Sequence, residues 1–183
     1  SQTLSGTQCA WDLERTYTIS DGCVANDFTV TITHSGSDQD AATGTTPDGT
    51  TNINSCAVES DIDAIVTTAA DVTALETAYT DLCGTVTATF VSQTLSGTQC
   101  AWDLERTYTI SDGCVANDFT VTITHSGSDQ IIPVIDNTNT ADIEIECGVG
   151  DTQAILTAWL NSNAGATATD NCPASLSVSY SIG

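Results

Sequence analysis

The 39 residues from Ser1 to Gln39 recur without a change from Ser92 to Gln130, in a chain of 183 residues. Unrelated segments do not agree over such a length, so whatever one copy can fold into is open to the other. The second copy starts 91 residues after the first (92 − 1). That spacing suits a whole small domain and exceeds the period of ankyrin-type or propeller-blade units. The repeat predicts a tandem array of domains.

Between and within the copies, the apolar pattern is that of strands. GTVTATFVSQTL (84–95), LERTYTIS (104–111) and DFTVTITHS (118–126) alternate Thr with Val, Phe, Tyr or Ile. A period of two places the apolar set on one face, as in half-buried antiparallel strands. Upstream, TGTTPDG reads as a turn-rich linker and TTNINSC as a short strand ending at Cys56. In DVTALETAYT, Val72, Leu75 and Tyr79 fall at helical spacing with Asp71 placed as N-cap. The expected fold is mostly β: tandem Ig-like antiparallel β-sandwich modules with one short crossover helix per module. Residues 40–130 would form one complete module. Residues 1–39 then read as the C-terminal half of a module and residues 131–183 as the N-terminal half of the next: ADIEIEC answers TTNINSC, and DTQAILTAWL answers the helix. The chain reads as a window on a longer repeat polymer, or as a subunit whose ends are completed by neighbours.

Charge narrows the partners. The chain carries 24 acidic residues against two Arg and no Lys, a formal charge of −22. A nucleic-acid surface is excluded, because phosphates are neutralised by Lys and Arg in number. No apolar run approaches the roughly 18 residues that span a bilayer, and no basic-then-apolar leader stands in this stretch, so no membrane span is expected. Eight Cys, no CxxC pair and two His argue against zinc and for disulfides, which persist outside the reducing cytosol. The expected location is extracellular, at a cell surface.

Strand direction suggests which cysteines meet. If strand 85–95 and strand 102–111 form a hairpin closed by SGTQ, Cys83 and Cys114 share its open end. Cys100 lies at the other end, where the crossover also brings Cys56. The expected bonds are Cys56–Cys100 and Cys83–Cys114. By the same logic Cys147 and Cys172 of the C-terminal half would match Cys9 and Cys23 of the N-terminal half.

Other residues carry groups capable of chemistry. THSGSD, at 33–38 and 124–129, holds His, Ser and Asp close together, but a triad is assembled from remote residues around an oxyanion hole. His34 and His125 read as strand-end residues, and no enzyme is expected. Arg15 and Arg106, each in a strand amid acids, read as structural ion pairs. Trp11, Trp102 and Trp159 read as packing residues, with a sugar-stacking platform as the competing role. Asp142, Glu144 and Glu146 in DIEIEC would share one face of a strand, about 6–7 Å apart. Glu59, Asp61 and Asp63 have the same spacing beside Cys56. Such faces need solvation or a cation, and Ca²⁺ takes oxygen ligands of this kind. A Ca²⁺ site near module junctions is expected from Asp112 and Asp118 with Asp129, Asp136 and Asn137; a solvated acidic edge is the alternative.

TDNC before a strand, the helix DTQAILTAWL after IEIEC, and CAWDLERTYTISDGC together resemble hyalin-repeat, Ig-like modules of giant surface adhesins in gliding and related bacteria. The resemblance implies a long extracellular protein, adhesive or filamentous, exported by a dedicated secretion system. The expected function is therefore structural: a filament or adhesin stalk for cell-surface adhesion or gliding motility, associating head to tail or continuing covalently into further repeats, with a surface polysaccharide as a candidate ligand. The alternatives are a carbohydrate-binding module of a secreted protein and an ice- or mineral-binding surface made from Thr rows such as TVTIT.

Overall fold

The computed structural model describes residues 1–146, 148, 150–172 and 179. In chain order its elements are β1 (Gln2–Thr7), β2 (Ala10–Ile19), β3 (Phe28–Gly36), β4 (Thr43–Gly44), β5 (Ile53–Asn54), α1 (Glu59–Asp63), α2 (Thr68–Ala78), β6 (Tyr79–Thr80), β7 (Thr87–Thr98), β8 (Ala101–Ser111), β9 (Phe119–Ser128), β10 (Val134–Asp136), α3 (Thr152–Asn161) and β11 (Thr167–Thr169). The fold is mostly β, with three short α-helices among the described residues. Among the described residues four sheets form: β1-β2-β3, β4-β6, β10-β11 and β5-β9-β8-β7. The chain divides into two compact units, Ser1–Thr50 with Asp63–Thr94 and Leu104–His125, and Thr51–Ile62 with Leu95–Asp103 and Ser126–Gly183.

The first unit holds the sheet of the first repeat copy. Its strands pair antiparallel, with Leu4 opposite Leu13 and Leu13 opposite His34, and with Gln2 opposite Arg15 and Arg15 opposite Ile32. The period-two pattern puts Trp11, Leu13, Arg15, Tyr17 and Ile19 on one face of β2, beside Phe28, Val30, Ile32 and His34 of β3. Thr7 pairs with Ala10 across the two-residue turn Gln8–Cys9. Gly6 sits at φ +93°, and a Cβ there would lie 2.2 Å from the Ala10 carbonyl oxygen, so only glycine fits this close approach. On the same face, the Trp11 ring lies over Gly36, where a Cβ would meet it at 2.3 Å.

The same unit also contains the bodies of β7, β8 and β9, and here the apolar face is covered. Leu75 of α2 joins Ala42, Tyr79, Val86, Ala88, Tyr108, Ile110 and Ile123 in the core. Tyr79 stacks obliquely on Phe119 and Phe90 meets Tyr108 edge to face, with ring centroids 5.7 and 5.8 Å apart. The covering element is thus a helix with the chain around Ala42. The sequence places the N-cap at Asp71, but the helix begins a turn earlier: Thr67 is the N-cap, its hydroxyl accepting the Ala70 N–H at 3.2 Å. Asp71 is buried instead, because Arg106 draws it inward. A further turn of helix, α1, takes up ESDID, so Glu59 and Asp61 do not share a face as they would on a strand.

In the second unit, β5 is shorter than TTNINSC promised and pairs parallel with the end of β9, Ile53 opposite Gly127 and Asn54 opposite Ser128. Trp102 is buried here; its indole N–H donates to the Ser55 carbonyl at 3.0 Å, and Gly127 leaves room for its ring. Helix α3 is capped by the Asp151 carboxylate, which accepts the Ala154 N–H at 3.1 Å, and Trp159 donates to the Ala141 carbonyl at 2.8 Å. Residues 141–146 are not a strand, which corrects the single-face arrangement expected for Asp142, Glu144 and Glu146. A strand needs a ladder partner, and β10 is paired with β11 instead.

Candidate functional site

The covered sheet encloses a polar cluster. Asp71 enters from α2, Arg106 and Tyr108 from alternate positions of β8, and His125 from β9. One Asp71 oxygen, Oδ2, accepts from Arg106 Nη1 at 2.9 Å, Tyr108 Oη at 2.7 Å and His125 Nε2 at 3.1 Å. The Thr50 N–H donates to His125 Nδ1 at 3.0 Å, which leaves the ring proton on Nε2, facing Asp71. Arg106 is used further: Nη2 bonds Asp63 and the Val66 carbonyl, and Nε donates to Gln93 Oε1 at 3.2 Å.

Burial opposes the charge on Asp71, yet the hydrogen bonds from Tyr108, Arg106 and His125 outweigh it and hold the carboxyl below its ordinary range. Burial also works against the Arg106 charge, and Asp71 and Asp63 overcome it, raising its pKa. Burial first, and then Asp71, push the Tyr108 phenol above its usual range. Arg106 is the structural ion pair that the sequence suggested. His125 is no mere strand-end residue but part of this cluster. The sequence signal was its place in the buried alternation of β9, two residues beyond Ile123. Arg106, Tyr108 and His125 are at most 2 % exposed, so the cluster lies within the packed interior.

The first copy carries the same side chains with nothing over them among the described residues. Tyr17 is 46 % exposed where Tyr108 is fully buried, and Ile32 is 46 % exposed where Ile123 is 2 % exposed. Arg15 is exposed and makes no ion pair among the described residues, which corrects the structural pairing expected of it. His34 is exposed as well. Leu4, Trp11 and Leu13 line an open apolar groove of about 480 Å³ with the hairpin turn at Gln8. Trp11, Leu13, Arg15, Tyr17, Ile19, Phe28 and Ile32 form one continuous side of a sheet, a patch of the kind that marks an interaction site. On the other side, Thr16 and Thr31 face each other at 3.3 Å as the Thr rows require.

The cysteines correct the expected bonds. Cys9 is joined to Cys114 and Cys56 to Cys172, while Cys23, Cys83 and Cys100 are reduced and exposed. Cys56–Cys100, Cys83–Cys114, Cys9 with Cys147 and Cys23 with Cys172 are therefore not the pairs; Cys147 lies outside the described residues. Neighbours of the expected partners do meet. Ala57, next to Cys56, donates its N–H to Gln99 Oε1 at 2.6 Å, beside Cys100. Asp38 lies within 4.8 Å of ligand atoms of both Cys83 and Cys114. What differs is that Cys9 and Cys172, from the flanking segments, take the bonds. The charge of Asp38 first, then some loss of hydration and the charges of Asp81, Asp40 and Asp112, push the Cys83 thiol above its ordinary range.

The residues expected around Ca²⁺ are engaged locally. Asp112 accepts the Cys114 N–H at 2.7 Å and the Asn117 amide at 3.1 Å. Asp129 accepts the Ile131 N–H at 3.0 Å and the Asn171 amide at 3.3 Å. Asp136 accepts the Thr138 N–H and hydroxyl at 2.9 and 2.6 Å, and these bonds lower its pKa. Among the described residues, the acids grouped as a cation would need are Asp38 with Asp112 and with Asp81; Asp118, Asp129 and Asp136 join no such group, and Asn137 is exposed beside Asp136.

No family model matches the chain, and neither the curated proteins nor the solved structures include a match to it. No described helix is long and apolar enough to cross a membrane.

Proposed function

We propose that the chain is part of a structural extracellular repeat protein, a filament or adhesin stalk of tandem Ig-like modules. In this reading residues 40–130 are a complete module, residues 1–39 the C-terminal half of one module and residues 131–183 the N-terminal half of the next. The observation that carries it is the pair of identical sheets, one covered and one bare. In the covered copy an apolar helix and two carboxylates lie on the sheet, and Arg106 bonds to both. The bare copy offers the same apolar face and the same cation, Arg15. Residues 131–183 contain a helix that exposes Ile155, and they hold acids but no Lys or Arg. A second copy of this segment is the proposed occupant. Such a joint is heterologous, so repetition propagates a fibre unless the rotation happens to close a ring. The two disulfides and the lack of Lys suit an extracellular, hydrated surface.

Sedimentation of the full chain over a range of concentrations tests this. Head-to-tail oligomers are expected, and Ile32→Asp, on the bare face, should leave monomers whose unfolding midpoint is unchanged. A parent chain that stays monomeric throughout, or oligomers that survive Ile32→Asp, would overturn the reading. A polysaccharide that quenched Trp11 fluorescence in the monomeric variant would favour the carbohydrate-binding alternative.

A further inference from the structure

The repeat turns the two disulfides into a rule for the cysteines that remain reduced. Cys9 and Cys100 are the same residue of the repeat, as are Cys23 and Cys114 (100 − 9 = 114 − 23 = 91). The bond Cys9–Cys114 therefore joins the hairpin-turn cysteine of one copy to the loop cysteine of the other. Left over are one loop cysteine, Cys23, and one turn cysteine, Cys100, both exposed. We propose that Cys100 of one molecule and Cys23 of another form this same bond, linking copies of the chain covalently. The proposal rests on the repeat reading above.

Both partners already hold the shape that the observed bond uses. Cys23 has φ −111° and ψ 103°, and Cys114 has −110° and 101°. In each loop an Asp accepts the cysteine N–H, Asp21 at 2.9 Å and Asp112 at 2.7 Å, and the same Asp accepts the Asn amide five residues on. The preceding glycines, Gly22 and Gly113, have φ of +94° and +98°. The turns match as closely: Asp38 donates its N–H to the Gln8 carbonyl at 2.9 Å, and Asp129 donates to Gln99 at 2.7 Å. At the existing bond, Gln8 Nε2 reaches the Asp112 carbonyl at 2.6 Å, and the corresponding pair in the new bond is Gln99 with Asp21.

A second match shows that the turn meets the same neighbours in both copies. Asp38 groups with Asp81 and Cys83 of TDLC, and Asp129 accepts from Asn171, next to Cys172 of TDNC. The two turns are used alike, but Cys9 has found its loop cysteine and Cys100 has not. Bond formation needs an oxidant, and a small disulfide such as oxidised glutathione suffices. The Cys23 thiolate attacks it, forming a mixed disulfide and expelling one glutathione thiolate. The Cys100 thiolate then attacks Cys23 Sγ and expels the second, so two protein thiols and one disulfide give one protein disulfide and two reduced glutathiones.

The test uses the full chain with Cys83→Ser and Cys147→Ser, so that no other cysteine competes, in a glutathione redox buffer. Non-reducing gels should show a ladder of linked oligomers. Adding Cys23→Ser or Cys100→Ser should abolish the ladder and leave monomers. Mixing those two variants should restore dimers and nothing larger, with the Asp81–Trp102 peptide joined to Asp21–Asn26 when one variant is isotopically labelled. Homodimers of either variant would overturn the proposal. Non-covalent oligomers without the ladder would overturn it too, leaving the repeat reading in place, whereas the absence of any association would overturn both.

Discussion

Residues 1–39 and 92–130 are one sequence in two environments. Both copies form the same hairpin and third strand, with the same glycine at the turn and the same tryptophan lying over a glycine. In the second copy Arg106, Tyr108 and His125 converge on Asp71; in the first, Arg15, Tyr17 and His34 face outward. The backbone arrangement therefore belongs to the repeat itself, and burial belongs to whatever lies on top. The difference also separates intrinsic from borrowed stability, because each substitution has a twin.

The largest contrast is expected at the arginines. Arg106→Met leaves Asp71 without its main cation, and loss of one partner from a buried pair costs about 3–5 kcal/mol. Arg15→Met, on the bare sheet, should move the monomer by no more than about 0.5 kcal/mol. Urea denaturation of both variants decides it, and equal effects would mean that the first sheet is covered in solution. Next come the tyrosines. Tyr108→Phe removes a hydrogen bond to a charged group, worth about 1.5–3 kcal/mol, whereas Tyr17→Phe should be silent by the same measurement.

A smaller effect is expected in acid. Asp71 titrates below its ordinary 3.8 in the folded chain, so its contribution is complete above that pH and is lost as the pH falls further, through the folded value. Melting followed from pH 5 downward should show this loss, and Asp71→Asn should remove the dependence. The smallest concerns the reduced thiols: with its pKa raised by Asp38, Cys83 should alkylate more slowly than a model thiol at pH 8, and Asp38→Asn should speed it.

Local features were legible in the sequence, and the cover was not. Alternation of Thr with Tyr, Val and Ile gave the strands of both copies, because a period of two defines a face wherever it occurs. It also marked Arg106 as inward-facing, and from there an ion pair with an acid followed. The identical alternation around Arg15 gave the same answer, and there no described acid pairs with it, since Asp63 and Asp71 are both taken by Arg106. Asp71 satisfies the capping preference as well as Thr67 does, and only the buried arginine decides between them as the helix start. Strand direction assigns cysteines to ends but does not rank partners among them, and Cys9 and Cys172 from the flanking segments take the bonds. DIEIEC shows the converse limit, alternation without a strand to pair with.

The burial of Arg106 has a further consequence, for digestion. With no Lys in the chain, trypsin has two bonds to cut, after Arg15 and after Arg106. The second lies within β8 with its side chain fully enclosed, so it is out of reach while the fold holds. The first is open only while its sheet is bare. A nick after residue 15 is thus a chemical readout of a bare first sheet, and any partner that covered that sheet would leave such a protease nothing to cut.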